Sequence, residues 1–143
     1  MSQTATTQEI VQEHTVKASA QTVFESLVHR FSAGMTAGPD MPMPLTMELR
    51  PGGRWYRDLG NDAGHLWATV QSVKPGALLE LFGPLWMSGP VSNHIIIRCT
   101  EEEGVTTIRF KHTSFGFIDP AFLEHTEEGW QEMFEDIRTT SEG

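Results

Sequence analysis

His112 and Arg57 are the two polar side chains that this sequence places where they could act on a small molecule. His112 has the strand parity of Ile108 and Phe110, so it should face the same side of a sheet as those apolar residues. A histidine there could orient a ligand carbonyl or transfer a proton near neutral pH. The alternative is a structural histidine bonded to backbone or water, because buried polar groups are usually paired.

Arg57 shares strand parity with Trp55 and should face inward with it. An inward guanidinium is costly unless it meets an acid. We therefore expect Arg57 to contact either Glu48 or a ligand carboxylate.

Large aromatic rings recur on predicted strands, on one loop and on the apolar face of the last predicted helix. They are Trp55, Trp67, Phe82, Trp86, Phe110, Phe122 and Trp130. A single ring usually belongs to an ordinary core, but the set is typical of an apolar pocket with a few polar groups. Together with His112 and Arg57, these rings are our candidate ligand-binding residues.

Gly129 lies in the middle of the last predicted helix, where glycine costs about 1 kcal/mol relative to alanine. Two explanations fit: close packing of the helix against a strand, or space left for a ligand. We favour close packing.

Other site chemistries have no motif in this sequence. The six histidines show no H-x-x-x-H spacing and there is one cysteine, so we predict no metal site. A phosphate-binding glycine loop and a serine nucleophile elbow are both missing, which removes the usual signals for nucleotide binding and for serine hydrolysis. We expect no cofactor. Cys99 lies among apolar residues that would not lower its pKa, which disfavours a catalytic thiol.

Length and charge limit the domain count and the class of partner. A chain of 143 residues with 38% hydrophobic residues is typical of one domain, which we place at residues 8–140 after a flexible N-terminus at 1–7. The formal charge of -9 opposes nucleic-acid binding, which requires lysine and arginine at phosphates. The polar N-terminus has no apolar run, so we expect no membrane contact and a cytoplasmic location.

The order of predicted elements indicates an α+β domain. A strand near residues 10–16 precedes a short amphipathic helix with Ser19 as its N-cap. A methionine- and proline-rich segment at residues 34–44 should form a flap-like loop. Short strands separated by turns follow, and a helix that starts near Asp119 ends the chain. The apolar stripe of this helix should lie along the concave face of the antiparallel sheet.

Four local motifs sharpen this prediction: Pro51–Trp55, Val73–Leu78, Gly104–His112 and Glu128–Trp130. In this order and spacing they resemble the START-like (SRPBCC) superfamily, in the branch named after the activator of heat-shock chaperone ATPase. The resemblance implies a helix-grip fold, in which a curved antiparallel sheet wraps around a long C-terminal helix and a short helix follows the first strand.

Three functions fit these expectations, in decreasing order of preference. The first is binding of a small hydrophobic or amphipathic molecule in a cavity between the sheet and the C-terminal helix. The second is an enzyme of the cyclase, aromatase or hydrolase type that uses His112 as acid or base. The third is an interaction role, as a homodimer or as a chaperone co-factor that presents the methionine-rich loop.

Overall fold

The computed structural model describes residues 4–143, and its elements follow the predicted order. Residues 1–3 of the predicted flexible N-terminus lie outside the described residues. The helices are α1 (Ala20–Phe31) and α2 (Ala121–Glu142). The strands are β1 (Thr6–Val16), β2 (Thr36–Gly38), β3 (Met41–Pro42), β4 (Thr46–Met47), β5 (Arg54–Gly60), β6 (Ala63–Lys74), β7 (Leu78–Gly83), β8 (Val91–Glu102) and β9 (Val105–Gly116).

Within residues 4–143, seven strands form one antiparallel sheet in the order β1-β9-β8-β7-β6-β5-β4. The first strand, β1, pairs with β9 over its whole length, from Thr6 opposite Gly116 to Val16 opposite Thr106. The β5–β6 and β6–β7 ladders contain register shifts, which bend and twist antiparallel strands. With the short helix after β1 and the long helix at the end, this arrangement confirms the predicted helix-grip fold.

Both helices are amphipathic, as their sequences predict. The Ser19 hydroxyl accepts a hydrogen bond from the Thr22 backbone N–H at 3.1 Å, which confirms Ser19 as the N-cap of α1. Helix α2 has Pro120 at its N-cap position, and the Asp119 carboxylate accepts from the Ala121 N–H at 2.9 Å. Among residues 4–143, neither helix is long and apolar enough to cross a membrane.

The methionine- and proline-rich segment is more regular than we expected. Strands β2 and β3 pair as a short hairpin, hereafter the β2–β3 hairpin, whose turn contains Asp40 in the left-handed region at φ 57°. The Met43 backbone N–H donates to the Met35 carbonyl at 2.8 Å, and the Met35 side chain is buried. Backbone pairing and an apolar anchor therefore fix this segment beside the two helices.

Aromatic rings fill the space between the sheet and α2. Phe31 stacks on Trp55 and on Trp130 at centroid distances of 5.5 and 5.7 Å, and Phe110 packs on Trp130 and Phe134 at 4.8 and 5.0 Å. All five side chains are buried. The buried Trp55 indole N–H also donates to the Phe31 carbonyl at 2.7 Å, which satisfies an acceptor at the end of α1.

We expect Trp55→Phe to lower the free energy of unfolding by about 1–3 kcal/mol, because the buried Phe31 carbonyl loses its donor. Urea denaturation followed by far-UV circular dichroism measures this loss. Trp86→Phe is the matched control, since Trp86 is 41% exposed. Equal losses of unfolding free energy in the two variants would show that the hydrogen bond of the Trp55 indole does not contribute measurably to stability.

Candidate functional site

An open cleft of about 1260 Å³ lies between α2, the end of α1 and the β2–β3 hairpin. We call it the α2 cleft. Four of the predicted rings line it: Trp67, Trp86, Phe122 and Trp130. Trp67 is the one lining residue that comes from the seven-stranded sheet, within the part of the chain that the structure describes. The open space therefore lies to the side of the packed rings, rather than directly between the sheet and α2 where we expected a cavity.

Trp86 lies over the other rings of the cleft. Its centroid is 5.7 Å from that of Trp67, 5.9 Å from Phe122 and 6.2 Å from Trp130. The preceding Leu85 is buried, and its backbone N–H donates to the Trp67 carbonyl at 2.7 Å. Leu85 has φ 57°, a conformation that a leucine rarely adopts unless its surroundings impose it. This strained, anchored residue sets the position of Trp86.

Three other predicted rings do not line the α2 cleft. Trp55 and Phe110 belong to the packed core. Phe82 is 49% exposed, because Leu79 and Leu81 are buried and strand alternation turns Phe82 to the opposite face. There its ring lies 6.4 Å from that of His94. Phe82 is therefore separated from the candidate site by the sheet.

Arg57 is exposed and forms no ion pair within residues 4–143. The expected contact between Arg57 and Glu48 is wrong, because the β4–β5 register places Arg54 beside Glu48. Arg54 Nε and Nη2 donate to the two Glu48 carboxylate oxygens at 2.8 and 3.0 Å. These hydrogen bonds lower the pKa of Glu48 to about 2. Arg57 and Glu48 are thus remote from the chemistry of the cleft.

His112 is buried in a network of polar side chains next to the cleft rings. The Trp130 indole N–H donates to His112 Nδ1 at 3.0 Å, and His112 Nε2 lies 2.8 Å from Asn93 Oδ1. The Ser114 hydroxyl donates to the same Asn93 oxygen at 2.7 Å. Asn93 Nδ2 in turn donates to the Pro84 carbonyl at 3.2 Å.

This network determines the protonation of His112. An indole nitrogen can only donate, so Nδ1 must be the acceptor and Nε2 must carry the proton that goes to Asn93. Burial lowers the pKa of His112 to about 4, so the ring is neutral at pH 7. Both ring nitrogens are occupied, and the structural interpretation of His112 holds with side chains as its partners. Asn93 and Ser114 were missed, although Ser114 shares the strand parity of His112.

Arg30 is one of the polar residues of the cleft wall that our sequence analysis missed. Its Nη1 donates to the Gly34 carbonyl at 3.0 Å and its Nη2 to Thr36 Oγ1 at 3.2 Å. Its Nε is 3.2 Å from Asp136 Oδ2 on α2. One side chain therefore ties the β2–β3 hairpin to both helices, and only the folded chain brings these partners together.

Gly129 faces open space, and our preference for close packing is wrong. A Cβ built at this position meets nothing within 4 Å, and Gly129 lines the α2 cleft. The missing side chain therefore enlarges the cleft beside Trp130.

Two further reactive chemistries find no support in residues 4–143. No group of three or more His, Cys, Asp or Glu side chains is arranged to hold a metal ion there. Cys99 is buried, which raises the pKa of its thiol to about 11. At neutral pH this thiol is protonated and is a poor nucleophile.

A family model described as "Activator of Hsp90 ATPase homolog 1-like protein" matches residues 17–142 of the chain. No curated protein matches the chain. Among solved structures, an uncharacterized protein from Rhizobium leguminosarum is similar at a TM-score of 0.76 and 16% identity, over 99% of each chain.

Two further solved structures share the fold at low identity. The Aha1 dimer from Colwellia psychrerythraea has a TM-score of 0.66 and 16% identity, over 94% of this chain and 96% of its own. DynU16, a protein of the dynemicin biosynthetic locus, has a TM-score of 0.67 and 15% identity, over 92% of this chain and 46% of its own. At such identities these likenesses establish the fold alone.

We expect His112 to make stability depend on pH. Its pKa is about 4 in the folded chain and near the ordinary 6.5 when unfolded, so the unfolded state binds more protons between these values. The contribution of His112 is complete above about pH 6.5 and falls by about 3 kcal/mol as the pH decreases toward 4. Urea denaturation across this range, compared with His112→Gln, measures the effect. An NMR titration midpoint near 6.5 for the His112 ring would contradict the prediction.

We expect Gly129→Ala to raise the free energy of unfolding by about 0.5–1 kcal/mol, because alanine favours the helix and its Cβ meets no neighbour. Thermal or urea unfolding measures the gain. Glu128→Ala, at the exposed adjacent position, is the control and should change stability by only a few tenths of a kcal/mol. A loss of stability in Gly129→Ala would instead indicate a packed backbone.

Proposed function

Because the chain belongs to the activator of Hsp90 ATPase homolog 1-like protein family, we propose that it binds a small apolar or amphipathic molecule in the α2 cleft. The observation that carries this proposal is the ring-lined open space at Gly129. Small-molecule sites are typically concave, mostly apolar and about 300–1000 Å³ in volume. The open cleft, at about 1260 Å³, is larger than this range and so has room for such a molecule, and Trp67, Trp86, Phe122 and Trp130 give it an apolar lining.

The surroundings of the cleft support a preformed site. Arg30 holds the β2–β3 hairpin against both helices, and Leu85 holds Trp86 over the other rings. A binding surface that is fixed before the ligand arrives loses less conformational entropy on binding.

The geometry favours binding over catalysis by His112. A general acid or base must reach the proton that it transfers, and its pKa should lie near the working pH. His112 has both nitrogens bonded within the protein, and burial lowers its pKa to about 4. We therefore assign His112 to the support of Trp130 rather than to a reaction.

The first test is native mass spectrometry of the purified protein, followed by organic extraction and mass analysis of whatever is released. We expect one recurrent small molecule that is apolar or amphipathic. The same spectrum reports the oligomeric state, which distinguishes a monomeric binder from a dimer like that of the Colwellia psychrerythraea relative. A mixture that matches the cell's general lipid content would count against a selective site.

We expect Gly129→Leu to weaken binding of the neutral dye Nile red at least tenfold, because a leucine side chain at this position projects into the α2 cleft. Leucine is a better helix former than glycine, so the variant should remain folded. Gly129→Ala is the matched control and should bind within about threefold of the unaltered protein, a difference of under 1 kcal/mol. Dye fluorescence titration measures all three affinities. Unchanged binding in a folded Gly129→Leu variant would place the dye elsewhere.

A further inference from the structure

The walls of the α2 cleft carry an excess of negative charge. Among its described lining residues, Arg30 is the only lysine or arginine, and its guanidinium is paired with Asp136 at 3.2 Å. Asp40 and Glu132 also line the cleft, and neither carboxylate has an ion-pair partner within residues 4–143. Two carboxylates are thus left without a compensating cation.

These two carboxylates come from opposite sides of the cleft. Asp40 is at the turn of the β2–β3 hairpin, and Glu132 is on α2, one turn of helix after Glu128. Both side chains are exposed and line the cleft, so they can contact a molecule bound there. The net charge of -9 on the whole chain adds a field of the same sign.

The rings between these walls also favour a positively charged ligand. The face of an indole ring has a negative quadrupole potential and attracts cations, more strongly than the face of a phenyl ring. Trp67, Trp86 and Trp130 line the cleft, and Trp86 is 41% exposed. Among the described lining residues, an anion would meet two carboxylates and no unpaired lysine or arginine, whereas a cation would gain from both the rings and the walls.

We propose that the molecule bound in the α2 cleft is apolar with one positive charge, carried by a protonated amine or a quaternary ammonium group. Its apolar part packs on the tryptophans, and its charge lies toward Asp40 and Glu132. This inference rests on the proposed function, since it assigns a ligand class to the same cleft.

Three naphthalene probes of matched size test the charge preference: 1-naphthylmethylamine, 1-naphthalenemethanol and 1-naphthoate. At about pH 8 the amine probe is protonated and the carboxylate probe is ionised. We expect the amine to bind about tenfold more tightly than the alcohol, and the carboxylate to bind more weakly than the alcohol. Isothermal titration calorimetry measures the affinities, and added salt should reduce the preference for the amine.

Two variants locate the source of the preference. In the double variant Asp40→Asn and Glu132→Gln, the amine should lose most of its advantage while the alcohol binds as before. Asparagine tolerates the left-handed conformation of position 40, so the hairpin should be retained. Glu128→Gln is the matched control, because Glu128 is exposed on α2 and does not line the cleft. It should leave the preference intact.

The outcomes separate the two proposals. If the alcohol binds but the amine binds no more tightly, or if the preference survives in the double variant, the charge inference is overturned and the proposed function stands. If none of the three probes binds, the proposed function is overturned and the inference with it.

Discussion

The hydrogen bond from the Trp130 indole to His112 Nδ1 joins the C-terminal helix to strand β9 of the sheet, and the rest of the site depends on it. Because this bond is buried, losing either partner would leave an unsatisfied polar group in the core. It orients Trp130 so that one part of the ring packs on Phe31 and Phe110 while another borders the α2 cleft. The same bond requires a neutral imidazole, which couples the docking of α2 to the protonation of a single residue.

Aromatic rings fill the space between the sheet and α2, which explains why the open cleft lies beside α2 and not beneath it. With the region between sheet and helix occupied by rings, the open space lies where α2 separates from the β2–β3 hairpin. That separation is maintained from both sides. Arg30 holds the hairpin at a set distance through Gly34, Thr36 and Asp136, and Gly129 contributes no side chain to the gap. The cleft is therefore a product of rigid packing around it.

In the function that we propose, ligand choice depends on the surface of the α2 cleft and not on the fold, since one fold supports many activities. Membership of the activator of Hsp90 ATPase homolog 1-like family establishes the architecture of the chain. The chemical selectivity belongs to features of this chain: three tryptophans, a paired arginine and two unpaired carboxylates. Under our proposal, such a combination would distinguish ligands by charge as well as by apolar area.

Periodicity was sufficient to predict an α+β domain, because the burial alternation of strands and the apolar stripe of α2 are local properties, and the resemblance of four motifs to a known family added the helix-grip fold. Ser19, the hairpin turns and the apolar positions of β8 and β9 each specify their own element. Of the seven rings that the sequence grouped as candidates, Trp67, Trp86, Phe122 and Trp130 line the α2 cleft. The sequence by itself could not decide which acid pairs with which arginine, since the β4–β5 register gives Glu48 to Arg54. It also could not show that Gly129 faces open space or that Trp130 and Asn93 occupy both nitrogens of His112. Those outcomes depend on distances between residues far apart in the chain, which only the tertiary structure sets.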